Sequence, residues 1–239
     1  MKSRRYKYIY GPVSSWRLGR SLGVDAVSAG QKKICSFDCI YCQAGKTKDL
    51  TAKRRVFIPT GTIAEEIKSL PPVKIDYITF SGRGEPTLAK NLGELIRKVK
   101  KIRKKKIAVI TNSSLLFRKD VRRDLAPADF VMAKFDASTE DVFRKVNKPA
   151  KSVRLTKTIK GIKEFKRRYK GKFALQIMFV KKNVKFAEEI AKLAKNIKPD
   201  LVQINTPLRP SGVRPVSRKE MKDIKKLFKG IKVVSVYDA

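Results

Sequence analysis

Cys35-Ser36-Phe37-Asp38-Cys39-Ile40-Tyr41-Cys42 holds all three cysteines of the 239-residue chain within eight positions. Three thiolates spaced this way on one short loop can hold three irons of a 4Fe–4S cluster and leave the fourth iron without a protein ligand. An open iron can bind a substrate or cofactor directly, so the spacing points to catalysis. A structural zinc site asks for four closed ligands, usually Cys and His in two pairs. The chain has no histidine and no fourth cysteine, so zinc would need a carboxylate such as Asp38, or water. Disulfides are disfavoured by the odd count and by an N-terminus, Met1 to Tyr6, without a signal peptide's apolar core. Three unrelated buried cysteines is the bland alternative.

Outward from this loop, short β-type apolar runs alternate with longer amphipathic stretches, the pattern of a parallel α/β domain. Strands are expected near Leu22–Val27, Tyr77–Phe80, Ile107–Ile110, Phe130–Ala133, Ala174–Phe179 and Leu201–Ile204, with a further one at Val233–Val236. Helices are expected near Ile63–Leu70, Leu92–Lys101, Lys119–Leu125, Val153–Tyr169, Phe186–Lys195 and Lys219–Phe228. Polar, glycine or proline residues follow the six main strands, as in Ser81 to Pro86, Thr111 to Ser114, Lys134 to Ser138, Lys182-Asn183 and Asn205 to Pro207. In α/β barrels the active site is assembled from such strand ends. Periodicity by itself supports only a parallel α/β fold. One domain is expected over residues 1–239: an N-terminal lead-in (1–19), a core of about 20–210, and a C-terminal helix and strand (211–239).

The cysteine spacing, with aromatic Tyr41 before the last cysteine, resembles the radical S-adenosylmethionine (radical SAM) superfamily. Tyr10-Gly11-Pro12-Val13 and Arg17-Leu18-Gly19-Arg20-Ser21-Leu22-Gly23-Val24-Asp25 resemble the lead-in of a subgroup that includes relatives of the tRNA wybutosine synthase. The resemblance implies a partial (β/α)6 TIM-type barrel, a 4Fe–4S cluster on Cys35, Cys39 and Cys42, and S-adenosyl-L-methionine chelated to the open iron. It also implies reductive cleavage to a 5′-deoxyadenosyl radical that takes a hydrogen from the substrate. Tyr41 would lie near the adenine. Gly82-Arg83-Gly84-Glu85-Pro86 resembles the segment that binds the methionine amino group, with Glu85 offering a carboxylate and Pro86 fixing a dihedral. Asp136 and Ser138 match the place where ribose hydroxyls are held, and Ser138 also reads as a helix N-cap. Asn112 would reach the methionyl or substrate region, or brace a turn. Asn147-Lys148-Pro149 resembles a family Asn-Arg-Pro segment with lysine in place of arginine. The wybutosine relatives carry a further N-terminal cysteine set that this chain lacks, which argues against their pyruvate condensation.

Gln176 and Met178, like Gln203 and Asn205, alternate along the fifth and sixth strands, so each pair faces one side. If that side is the barrel interior, these polar groups meet cofactor or substrate. Arg17, Arg20 and Arg209 could approach a phosphate.

The charge narrows the partners. Lys and Arg number 58 against 21 Asp and Glu, a formal net of +37. Ion-pair networks need both signs in comparable number, whereas a polyanionic partner suits an unpaired excess. RNA, and tRNA in particular, is the expected partner. Acidic electron donors such as ferredoxin or flavodoxin would be drawn by the same charge. A protein or small molecule as substrate, and a non-catalytic RNA-binding metal protein, are the alternatives. No apolar run approaches the ~20 residues needed to cross a bilayer, so no membrane association is expected and the compartment is expected to be cytoplasmic.

Overall fold

A computed structural model describes residues 6–28 and 32–238. The basic N-terminal run through Arg5 lies outside the described residues. The main sheet has eight strands in the order β1 (Ile9–Ser15), β2 (Gly19–Val24), β5 (Tyr77–Phe80), β6 (Lys106–Thr111), β7 (Phe130–Lys134), β8 (Lys172–Met178), β9 (Leu201–Asn205) and β10 (Val233–Ser235). All neighbours run parallel except β1, which is antiparallel to β2. Two short strands, β3 (Ile34–Cys35) and β4 (Asp49–Leu50), pair beside the cysteine loop. Helices α1 (Thr60–Ser69), α2 (Leu92–Arg103), α3 (Lys119–Leu125), α4 (Glu140–Asn147), α5 (Leu155–Arg168), α6 (Ala187–Ile197) and α7 (Arg218–Lys226) fill the crossovers.

Strand alternation builds two different faces. Leu22, Val24, Ile78, Phe80, Val109, Val131, Leu175 and Val202 point outward into one core with Ile63 and Ile67 of α1, Leu95 and Val99 of α2 and Ile190 of α6. Burying each large side chain there contributes about 1.5–3 kcal/mol. On the other face, Ala108, Phe130, Met132, Ala174 and Leu201 gather with Leu18 from the β1–β2 turn and with Tyr77 and Val234. Side chains from strands near both sheet edges share that second cluster, so the sheet curls around it as a partial barrel. The inward positions turn polar towards the carboxyl ends of the strands, where Gln176, Asn205, Thr79 and Ser81 follow the apolar layer.

Three elements depart from the sequence expectation. β2 begins at Gly19 and ends at Val24, because the Asp25 carboxylate accepts from the backbone N–H of Val27 and Ser28 and turns the chain. The lead-in contributes β1, an edge strand that tolerates Pro12 because its outer side needs no ladder. α4, whose start the Ser138 N-cap reading places one residue early, carries Val142, Phe143 and Val146 on its buried face. Its N-cap is Thr139, which accepts from Val142 N–H, whereas the Ser138 hydroxyl is buried without a hydrogen-bond partner. Among the described residues, no helix is long and apolar enough to cross a membrane.

Candidate active site

The cysteine loop is held at both ends by backbone. Cys35 lies in β3, and its carbonyl accepts from Thr51 N–H at 3.0 Å. Farther along, Asp38 N–H donates to the Asn147 carbonyl (3.1 Å) and Ile40 N–H to that of Val146 (3.0 Å), so the loop docks on the orphan carbonyls at the end of α4. Phe37 meets Phe143 edge-to-face at 5.2 Å between ring centroids. The Asp38 carboxylate accepts from Thr47 N–H at 2.7 Å and stands 3.8 Å from Lys33 Nζ.

All three thiols are free. Burial raises Cys35 to about 12, with the nearby Glu85 charge acting in the same direction. Burial, then the Asp136 charge, raises Cys39 to about 11. Buried thiols of this kind become thiolates when a metal supplies the compensating charge. Among the described residues, no three Cys, Asp or Glu side chains converge tightly enough to share one metal ion. A cluster takes each thiolate on a different iron, and three thiols on one loop of a chain without histidine are the donors such a cluster asks for.

Two asparagine amides reach the sulfurs. Asn112 Nδ2 stands 3.5 Å from Cys35 Sγ and donates to Ser36 Oγ at 2.8 Å. Asn147 Nδ2 stands 3.5 Å from Cys39 Sγ and donates to Asp136 Oδ2 at 2.7 Å. Asn147 was noticed in the sequence only through its Asn-Lys-Pro context. No local signal could have shown that it reaches a sulfur 108 residues away along the chain.

The Gly82-Arg83-Gly84-Glu85-Pro86 segment packs directly on this loop. A Cβ at Gly84 would stand 2.1 Å from the Ile34 carbonyl oxygen, and Glu85 N–H donates to that same oxygen at 3.1 Å. Gly82 has φ +147, with the Asp25 carboxylate against its α-carbon. The Glu85 side chain is buried and fully engaged: Oε1 accepts from Thr87 N–H (3.0 Å), Thr87 Oγ1 (2.6 Å) and Thr111 Oγ1 (2.6 Å), and Oε2 from Asn112 N–H (2.6 Å). The carboxylate expected to meet an ammonium group also clamps the ends of β5 and β6 together. Burial raises its pKa against the opposing pull of those donors. Pro86 opens the short turn that follows.

Asp136 is engaged in the same way. Its Oδ2 accepts from the Tyr41 hydroxyl and from Asn147, and its Oδ1 from Met178 N–H at 2.7 Å. Lys134, absent from the sequence-derived site, places Nζ 3.8 Å from Asp136 Oδ2 and 4.8 Å from the Tyr41 ring centre. Burial and the Asp136 charge raise the Tyr41 hydroxyl well above its usual range, so it stays a proton donor. Asp136 therefore fixes Tyr41, Asn147 and the end of β8 as one unit, and Ser138 lies beside it.

Gln176, Met178 and Asn205 line a lumen cavity of about 430 Å³ that also touches Gln43, the residue after Cys42. Gln203 lies below them in β9 with its side-chain oxygen unpaired. The inward reading of these alternating residues is the one the fold adopts.

This geometry has counterparts among known proteins. Residues 33–194 match the family model described as the radical SAM superfamily. The chain belongs to the radical SAM superfamily. It is 40% identical over 212 residues to the UPF0026 protein slr1464 of Synechocystis, covering 88% of this chain and 78% of that protein. It is 37% identical over 227 residues to the UPF0026 protein MJ1312 of Methanocaldococcus jannaschii, covering 92% and 69% respectively. In fold it is similar to SuiB of Streptococcus suis bound to S-adenosylmethionine, with a TM-score of 0.67 at 14% identity over 89% of this chain and 50% of that one. Radical SAM proteins use a 4Fe–4S cluster and S-adenosylmethionine, which the three-thiol loop and the adjoining polar lumen suit.

Proposed function

We propose that this radical SAM protein modifies RNA, with a tRNA nucleoside as the target. The excess of 58 Lys and Arg over 21 Asp and Glu carries the substrate reading. Contacts with a phosphate backbone release counterions and reward such a surface without reading sequence. A small neutral substrate gives no reason for the excess.

Cys35, Cys39 and Cys42 would hold the cluster, and Gly82 and Gly84 would let the backbone approach the methionine moiety. A cluster held there would supply one electron for breaking the sulfonium C5′–S bond of S-adenosylmethionine, with methionine leaving and a 5′-deoxyadenosyl radical free to take a hydrogen atom from the substrate. Around it, the Asn112 and Asn147 amides donate to two ligand sulfurs, and Tyr41 stays protonated against Asp136. Gln176, Met178 and Asn205 face the space that cofactor and substrate would share. With no histidine in the chain, proton transfers fall to Asp, Glu, Lys or Tyr; Asp136, which accepts from the Tyr41 hydroxyl, and Lys134, over the Tyr41 ring, are the groups of this kind beside it. The electron donor would be an acidic protein of ferredoxin or flavodoxin type, and the compartment the cytoplasm.

The test is anaerobic. The reconstituted protein is mixed with dithionite and S-adenosylmethionine, and 5′-deoxyadenosine is quantified with and without bulk tRNA. Cluster-dependent product stimulated by tRNA is expected. Cleavage without stimulation would remove RNA as substrate, and no cleavage from iron-loaded protein would remove the reaction.

A further inference from the structure

The lumen cavity holds two arginines and no acid. Arg17, in the β1–β2 turn, directs its guanidinium inward, and with the Gln176 amide turned so that its oxygen faces Arg17, that oxygen accepts from Nε at 2.9 Å and Nη2 at 3.3 Å. Arg209, on the loop after β9, lines the same space, together with Asn205 and Ser81; no Asp or Glu lines it. Burial, and then the Arg209 charge, lowers Arg17 to about 10. The buried Arg54 side chain, 5% exposed, meets Asp120 and Asp124; the half-buried Arg17 meets no acid in the cavity, and the exposed Arg209 at its rim adds a second positive charge. A partly desolvated cation without a counter-ion favours an anionic ligand.

We infer that Arg17 and Arg209 form the anion subsite of the substrate and that the anion is the phosphate of a single nucleotide. Two guanidinium groups exceed what one carboxylate neutralises, whereas the two phosphodiesters that flank one nucleotide in RNA carry one charge each, and a free phosphate monoester carries about −1.5 to −2 near neutral pH. Its oxygens also match the planar donor fork of arginine. About 430 Å³ admits one nucleotide and excludes a duplex. The amides of Gln176 and Asn205 and the Ser81 hydroxyl offer polar partners to a sugar or base. The subsite extends the RNA reading and rests on it for the source of the phosphate: the unit is one nucleotide taken out of its stack, as enzymes acting on bases require.

The chain supplies its own reporter, because Trp16 is its only tryptophan and the Arg17 guanidinium lies 4.5 Å from its ring centre. Tryptophan emission of the reconstituted protein is titrated with uridine 5′-monophosphate, with a short single-stranded RNA and with uridine, and calorimetry repeats each titration. Saturable changes with a phosphate probe and none with uridine are expected. Arg209→Gln, at an exposed position, is expected to raise Kd about tenfold, the loss of one charge-assisted contact. Arg17→Lys should bind more tightly than Arg17→Gln. Response to the mononucleotide but not to RNA keeps the subsite and removes the RNA reading; response to RNA alone assigns the phosphate to the polymer. The subsite is overturned if uridine binds as well as its phosphate, if both Gln variants bind like the parent, or if only S-adenosylmethionine gives an Arg209-dependent change.

Discussion

At the scale of single residues, the site is organised by side chains that the cluster loop borrows from distant strands. Asn112 places an amide 3.5 Å from Cys35 Sγ. Hydrogen bonds to cluster sulfurs are among the levers that set reduction potential. Removing a donor leaves more negative charge on the sulfur and makes the reduced state harder to reach. Asn112→Ala is therefore expected to keep its iron and lower the cluster potential, read by redox titration followed by electron paramagnetic resonance; an unchanged potential would reject the assignment. The thiols give a second expectation, for the cluster-free chain. Cys39 is raised from 9.0 to about 11 by burial first and Asp136 second. The folded state thus holds this proton more tightly than the unfolded state. Its contribution to stability is complete below pH 9 and lost as pH climbs towards 11. Relative to Cys39→Ser, the cluster-free parent should lose stability across that window in chemical denaturation at fixed salt.

At the scale of elements, α4 is the piece on which the cysteine loop rests, although it spans only eight residues. The Thr139 cap satisfies a first-turn donor that nothing else reaches. Thr139→Ala should cost about 1 kcal/mol and reduce iron retention, because the carbonyls of Val146 and Asn147 hold the loop; thermal melts and iron assays read both effects. Arg54 performs the matching service behind the glycine segment. It donates to the carbonyls of Thr87 (2.8 Å) and Ala89 (3.0 Å) and pairs with Asp120 and Asp124, joining the turn after Pro86 to α3. Arg54→Met would leave Asp124 without its partner and Asp120 with Arg118 alone, and should cost about 3 kcal/mol in denaturant unfolding. These two elements also mark where the sequence could be read and where it could not. The six core strands and their polar ends were legible, because apolar runs closed by glycine or polar residues leave a local trace. β1 left none: Gly11, Pro12 and two serines hide a strand formed only by pairing with β2. The Glu85 and Asp136 carboxylates were legible as site residues. Their partners, Thr111, Asn147 and Met178, come from other elements, so the direction of each carboxylate became readable only from the fold.

At the scale of the whole molecule, the charge is the property no single site explains. Many of the surface acids are spent locally within a helix, as in Glu65–Lys68, Asp141–Lys145, Glu188–Lys192 and Asp223–Lys226. Exposed pairs of this kind contribute little to stability, and they leave most of the 58 cations without an acidic partner to account for them. The excess should therefore appear in binding. If RNA is the partner, each phosphate contact releases counterions, and the logarithm of affinity should fall linearly with the logarithm of salt, with a slope near −0.7 per phosphate for single strands. A footprint of about 6–10 phosphates would lower affinity by roughly 3 × 10² to 2 × 10⁴ between 50 and 200 mM salt. Filter binding of tRNA across that range measures the slope. Because the lumen subsite accounts for at most a few contacts, Arg209→Gln should shift the line down while leaving the slope nearly parallel. A slope near zero would mean that the surface charge does not meet the nucleic acid, and the RNA assignment would fall with it even if the radical chemistry stood.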